Sequence, residues 1–109
     1  MGTLVHGTMS VEFEDRLLTH LQIVIVQRFR RNEPLLVSWL DALEIGDGRS
    51  SLWMTPTLPV YFKFAGSRVP TINTEWLHTL TESAASSTGL ILSTEDGKLA
   101  RATGPISMP

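Results

Sequence analysis

The sequence predicts an α+β domain in the order ββαβββαβ, a largely antiparallel sheet with two helices packed on one face. Three observations carry that expectation. The chain has 109 residues, enough for one core and too few for two domains. Short apolar runs of period two, bounded by Gly and Pro, recur along it. Two longer stretches, residues 15–31 and 73–86, place apolar residues at helical spacing and carry cap signals.

The elements follow in order. Residues 4–6 and 11–13 read as short strands around a tight turn at 7–10, with Val11 and Phe13 alternating with Glu12 and Glu14. In residues 15–31, Leu18, Leu21, Ile25 and Phe29 make a helical stripe flanked by Leu17 and Val24. Asp15 is the expected N-cap, and Arg28, Arg30 and Arg31 stand where cations favour a helix C-terminus. The β-branched run Ile23-Val24-Ile25-Val26 favours strand, but the stretch is too long for one. Helix wins, and Asn32 and Pro34 stop it. Residues 35–40 read as a strand buried along most of its length, and 41–50 as a loop. Residues 51–54 and 60–64 read as a hairpin across 55–59, where Pro56 and Pro59 forbid regular pairing. Asn73 caps a second helix that presents Trp76, Leu77, Leu80 and Ala84 on one side, with Gly89 past its end. Residues 90–92 are the last strand. From Glu95 onward turn residues appear without apolar periodicity, so the domain is expected to span 1–94 and residues 95–109 to form a frayed tail.

Composition removes several functions. There are no cysteines, which excludes disulfides, thiolate metal sites and thiol nucleophiles and fits a reducing compartment. The formal charge is -2, so no global positive field draws the chain onto nucleic acid. Only residues 28–68 lean basic. The N-terminus has no charged leader ahead of an apolar stretch, and the longest apolar cluster, 23–26, falls far short of the ~20 residues that span a bilayer. The expected setting is the cytoplasm, with no membrane partner.

Catalytic signals are weak. No Gly-x-Ser-x-Gly elbow occurs, and His6, His20 and His78 lack metal-ligand spacing. The loop Gly46-Asp47-Gly48-Arg49-Ser50-Ser51 superficially resembles a phosphate cradle, but a strand follows where a helix is needed. A flexible loop is the simpler reading. No catalytic residue, metal or cofactor is expected.

The 51–64 hairpin is more informative. Pairing Met54 with Val60 sets Trp53 opposite Tyr61 and Ser51 opposite Lys63, on the face away from Leu52, Met54, Val60 and Phe62. An aromatic pair beside a cation is what a single-stranded nucleic-acid surface uses. Cross-strand aromatics also stabilise hairpins unaided, and an exposed apolar patch also serves a homodimer. The candidate footprint is Trp53 and Tyr61 stacking on bases, with Lys63, Arg49 and Arg68 reaching phosphates.

At Phe13-Glu14-Asp15-Arg16, Thr19-His20-Leu21-Gln22, Gly48-Arg49-Ser50-Ser51-Leu52-Trp53 and Phe62-Lys63-Phe64-Ala65-Gly66-Ser67-Arg68, the chain resembles a family of small actinobacterial proteins of unknown function. The likeness runs from Met1 to about Leu92. Such proteins often bear the label ATP-dependent DNA ligase, and the same module is found appended to ligase catalytic domains. The resemblance therefore implies a small non-catalytic accessory module of DNA ligation or DNA processing, with a DNA-processing protein as partner. The alternative is a homo-oligomeric structural or protein-interaction domain. Ligase chemistry itself needs a lysine in Lys-x-Asp-Gly. Lys63 is followed by Phe64-Ala65-Gly66 and Lys98 by Leu99-Ala100-Arg101, so neither fits.

Overall fold

A computed structural model describes residues 1–107. The part of the expected tail at Met108 and Pro109 lies outside the described residues. The elements are β1 (Gly2–His6), β2 (Met9–Phe13), α1 (Asp15–Arg30), β3 (Leu35–Leu40), β4 (Arg49–Met54), β5 (Val60–Lys63), α2 (Thr74–Ala84) and β6 (Leu90–Ile91). The α+β class and the order of elements are those the sequence predicts.

β1 and β2 form a hairpin in which His6 opposes Met9, so the turn is only Gly7-Thr8. Gly7 has φ +60, and Thr8 does not share it. This is the arrangement that matches the strand twist and puts glycine first in a two-residue turn. α1 buries Leu17, Leu18, Leu21, Val24 and Ile25 of the predicted stripe, and Phe29 packs half-buried against the core. It ends in a Schellman motif: Asn32, at φ 57, donates its N–H to Phe29 O and Glu33 donates to Arg28 O. Its start differs from expectation. Glu14 is the N-cap residue, without a side-chain cap bond. Asp15 is instead the first helical residue, and its carboxylate accepts the N–H groups of Ala65 (3.1 Å) and Gly66 (2.9 Å). Tertiary amides took the carboxylate that local rules reserve for the helix. At α2 the local rule holds, with Asn73 Oδ1 accepting Trp76 N–H at 3.1 Å.

The strands divide into two sheets. The first has the order β2-β1-β5 and the second β4-β3-β6. The single sheet and the β4–β5 hairpin of the sequence reading are both corrected here. Trp53 pairs with Leu36 of β3, and Tyr61 pairs with Val5 of β1. Between them Thr55 donates its N–H to His6 Nε2 at 3.1 Å, and Pro56 and Pro59 prevent the chain from folding straight back. The segment therefore crosses from one sheet to the other. α1 packs on β1, α2 on β3 and β6, and the helices pack on each other. Inside, Phe13 of the first sheet meets Trp39 of the second edge-on, with ring centroids 5.5 Å apart.

Residues 95–107 are not a loose tail. Ala100, Ala102 and Gly104 are buried. Leu40 donates to Ala100 O (2.9 Å) and accepts from Ala102 N–H (2.8 Å), which ties this segment to the second sheet. Thr103 N–H reaches Glu12 O (2.9 Å), and Ser10 and Ser107 exchange both backbone bonds, which ties it to the first. It is a strap joining the two sheets.

Candidate functional site

Strand alternation decides which side chains meet solvent. On the second sheet Arg49, Ser51 and Trp53 of β4 face outward, directly opposite Leu40, Ser38 and Leu36 of β3. Ile91 of β6 lies beside Ser38, and Leu99 of the strap lies close by. Among the described residues no helix covers this face. Trp53 is 61% exposed, Leu99 57% and Ile91 39%, while Leu36 and Leu40 are half-buried. The hydroxyls of Ser38 and Ser51 bond each other at 2.8 Å, so the polar centre of the face is already satisfied. Two shallow hollows flank it. One of about 170 Å³ lies among Leu40, Arg49, Ile91 and Leu99; the other, about 380 Å³, lies between Trp53, Leu36 and the end of α2.

The first sheet presents different chemistry. Tyr61 and Lys63 face out opposite Val5 and Thr3, which in turn oppose Ser10 and Glu12 of β2. Tyr61 is 57% exposed and, among the described residues, is the one ring that the strands turn out on that face. Arg68 is exposed on the loop after β5. The five sequence-nominated residues thus form three separate groups, namely Arg49 with Trp53, Tyr61 with Lys63, and Arg68. Leu36, Leu40, Ile91 and Leu99 were missed. The run 35–40 reads as a strand buried along most of its length, which disguises the outward residues of β3, and Leu99 falls in the expected tail.

A larger cleft, about 580 Å³, lies elsewhere, between α1, α2 and the strap, with Glu14, Glu95, Asp96, Lys98 and Arg101 on its walls. Two of its carboxylates, Glu95 and Asp96, are committed. Glu95 accepts from Arg16 Nε (2.6 Å) and Nη2 (2.8 Å) and from Asn73 Nδ2 (2.9 Å), and these bonds hold its pKa down at about 2. The Thr94 hydroxyl lowers the pKa of Asp96 in the same way. Neither is tuned as a general acid near neutrality.

Two histidines are structural ties. His20 is fully buried, with Nε2 accepting Asn73 N–H at 2.9 Å and Nδ1 2.8 Å from Arg16 O. That pattern puts the ring proton on Nδ1. The ring lies 4.4 Å from that of Trp76, whose Nε1–H goes to Ser93 O. His6 holds the sheet crossing through Thr55, and burial lowers its pKa against a smaller opposing effect of the Pro59 carbonyl. Among the described residues no group of three or more His, Cys, Asp or Glu side chains is placed to hold a metal ion, and no helix is long and apolar enough to cross a membrane.

No curated protein and no solved structure matches this chain. A family model does, over residues 1–95, which takes in both sheets' strands and both helices and ends at the first residue of the strap. On that match the chain belongs to the family described as Domain of unknown function (DUF7882).

Proposed function

We propose that this domain is a non-catalytic binding module that contacts protein through the outer face of its second sheet. The carrying observation is the exposure of Trp53, Ile91 and Leu99 on one uncovered sheet face. Large apolar side chains exposed together on one sheet face mark contact sites on soluble domains, and Trp is among the residues that most often anchor them. The sequence resemblance to actinobacterial proteins carrying a DNA-ligase label supports a DNA-processing complex in the cytoplasm as the setting. A photoreactive phenylalanine analogue at Ile91, irradiated in cells, should give protein adducts. The same group at Thr3, on the first sheet, should give none. Equal yields from the two positions, or none from Ile91, overturn the reading.

A second reading rests on the pairing of one ring with one cation on each sheet, Trp53 with Arg49 and Tyr61 with Lys63. Tyr61 and Lys63, two residues apart, suit a base and its phosphate, and Trp53 and Arg49, four residues apart along β4, suit a base and the phosphate of a neighbouring nucleotide. Split sites and few cations favour weak, salt-sensitive binding of single strands near the non-specific range of ~10⁻⁴–10⁻⁶ M, with Arg68 an outlying contact. Fluorescence anisotropy of a labelled single strand at two salt concentrations tests it. Absence of binding at low salt, or unchanged binding by folded Trp53→Ala, removes it.

A further inference from the structure

Among the described residues the strand edges are treated unequally. The outer edge of β2 is taken by Thr103 and Ser107 of the strap, and the chain beyond β6 is paired by Ala100. β5 is short, follows Pro59 and carries Lys63, features that discourage pairing with another chain. β4 is six residues long and free of proline and lysine, and its second edge has no strand neighbour.

The direction of its free backbone groups can be deduced. On β3, Ser38 O accepts from Leu92, and Leu40 N–H and O serve Ala100 and Ala102, all on the β6 side. In an antiparallel pair the N–H and C=O of one residue point the same way, and the direction alternates along the strand. Leu35, Val37 and Trp39 therefore bond β4, through their partners Met54, Leu52 and Ser50. That leaves the N–H and C=O of Arg49, Ser51 and Trp53 aimed at the open edge.

These residues are also the outward-facing ones, in the order Arg–Ser–Trp at alternate positions. The order is complementary to itself read backwards. About a two-fold axis at Ser51, each Ser51 meets the partner's Ser51, and each Arg49 meets the partner's Trp53, with every free N–H and C=O paired. Guanidinium over indole is a favourable cation–π contact, and the arrangement keeps the two arginines apart. Moving the axis to Leu52 would set Arg49 opposite Thr55 and Ser51 opposite Trp53. Moving it to Ser50 would set Trp53 opposite Asp47 in the loop. Both lose the Arg–Trp match and part of the ladder. Odd registers place bonded groups against free ones and cannot form a ladder.

We infer that a second copy of this chain docks antiparallel along β4, centred on Ser51, to give a continuous sheet β6-β3-β4-β4-β3-β6. The inference rests on the protein-contact reading above and names this chain as one occupant of that region. In the dimer the two apolar faces become one surface, with Trp53 held between Leu36 and the partner's Arg49.

The absence of cysteine makes the test clean. Residues opposed in a bonded pair lie ~5.5 Å apart at Cα, within disulfide reach. Ser51→Cys should cross-link to a disulfide dimer under mild oxidation, whereas Thr57→Cys should not. Light scattering on the wild type should show the mass of two chains rising with concentration. Ser51→Pro, whose lost N–H faces the open edge, should fold and be monomeric. Trp53→Glu sets a carboxylate across from the partner's Arg49 and should keep the dimer with added salt sensitivity. Trp53→Arg opposes like charges and should abolish it. A wild type that is monomeric throughout overturns the inference, and so does a dimer indifferent to Ser51→Pro and Trp53→Arg. If Ile91 still cross-links to a different protein, the contact reading survives without the dimer. If neither adducts nor dimer appear, both fall.

Discussion

The two sheets have the same number of strands and one helix apiece, yet they finish their surfaces in opposite ways. The first turns Thr3, Ser10, Glu12 and Lys63 outward around Val5 and Tyr61, and its β2 edge is closed by the strap. The second turns out Leu36, Leu40, Trp53 and Ile91 and leaves β4 open. A sheet needs only one apolar face to fold. The second sheet carries exposed apolar side chains on a face that no element of the described residues covers, and under the proposed reading this separates folding residues from contact residues within one small domain.

The largest effect should come from the contact that makes the two sheets one core. Phe13→Ala removes a fully buried ring set edge-on against Trp39 and should cost about 3–5 kcal/mol. Urea unfolding should remain a single transition. Two transitions would mean that the sheets are independent, and the comparison would fail.

Next comes the strap. Stopping the chain after Lys98 deletes buried Ala100 and Ala102 and the backbone bonds to Leu40, Glu12 and Ser10. At the low end of the net range for peripheral bonds, about 0.5 kcal/mol each, these five bonds are worth about 2.5 kcal/mol. With β2 uncovered, the first sheet should also begin to self-associate. A truncated chain as stable and as monodisperse as the full one would show that the strap is ornamental.

Acid provides a gentler probe. The Glu95 pKa falls from 4.5 in the unfolded chain to about 2 in the folded one, so the unfolded state binds more protons between those values. Stability from the Arg16–Glu95 pair is full above about 4.5 and declines as pH falls toward 2. Glu95→Gln should flatten that part of the stability–pH curve. His6 acts at higher pH: its lowered pKa makes stability begin to fall below 6.5, and His6→Gln should remove that slope. Slopes unchanged in both variants would disconnect these ties from folding.

The smallest effect belongs to the contact face. Trp53→Ser, measured in dilute solution, should change monomer stability by no more than ~0.5 kcal/mol. A cost several times larger would mean that Trp53 serves the core.

What the sequence made legible was local. The α1 stripe, the Asn32 stop and the Asn73 cap are decided by neighbours a few residues away, and they were read correctly. Strand partners were not. Val60 and Phe62 turn inward and Tyr61 and Lys63 outward whether β5 lies on β4 or β1, so alternation could not choose between them. The strap was invisible because its buried positions, Ala100, Ala102 and Gly104, are small. They do alternate with Arg101 and Thr103, and that period-two pattern of small residues was the missed signal. The candidate face inherited both errors: Trp53 and Tyr61 were joined, and Leu99 was set aside.

The strap also imposes an order of events during folding. The β1–β2 hairpin closes across two residues, a process of about 1–10 μs. The Ser10–Ser107 contact must bring together points nearly a whole chain apart, with a correspondingly larger loss of loop entropy. The hairpin therefore exists before its outer edge is shielded. During that interval a refolding chain carries an unpaired strand that the native molecule conceals. Recovery from denaturant should consequently fall with protein concentration more steeply than native self-association accounts for, and a peptide of residues 99–107 added in excess should restore it.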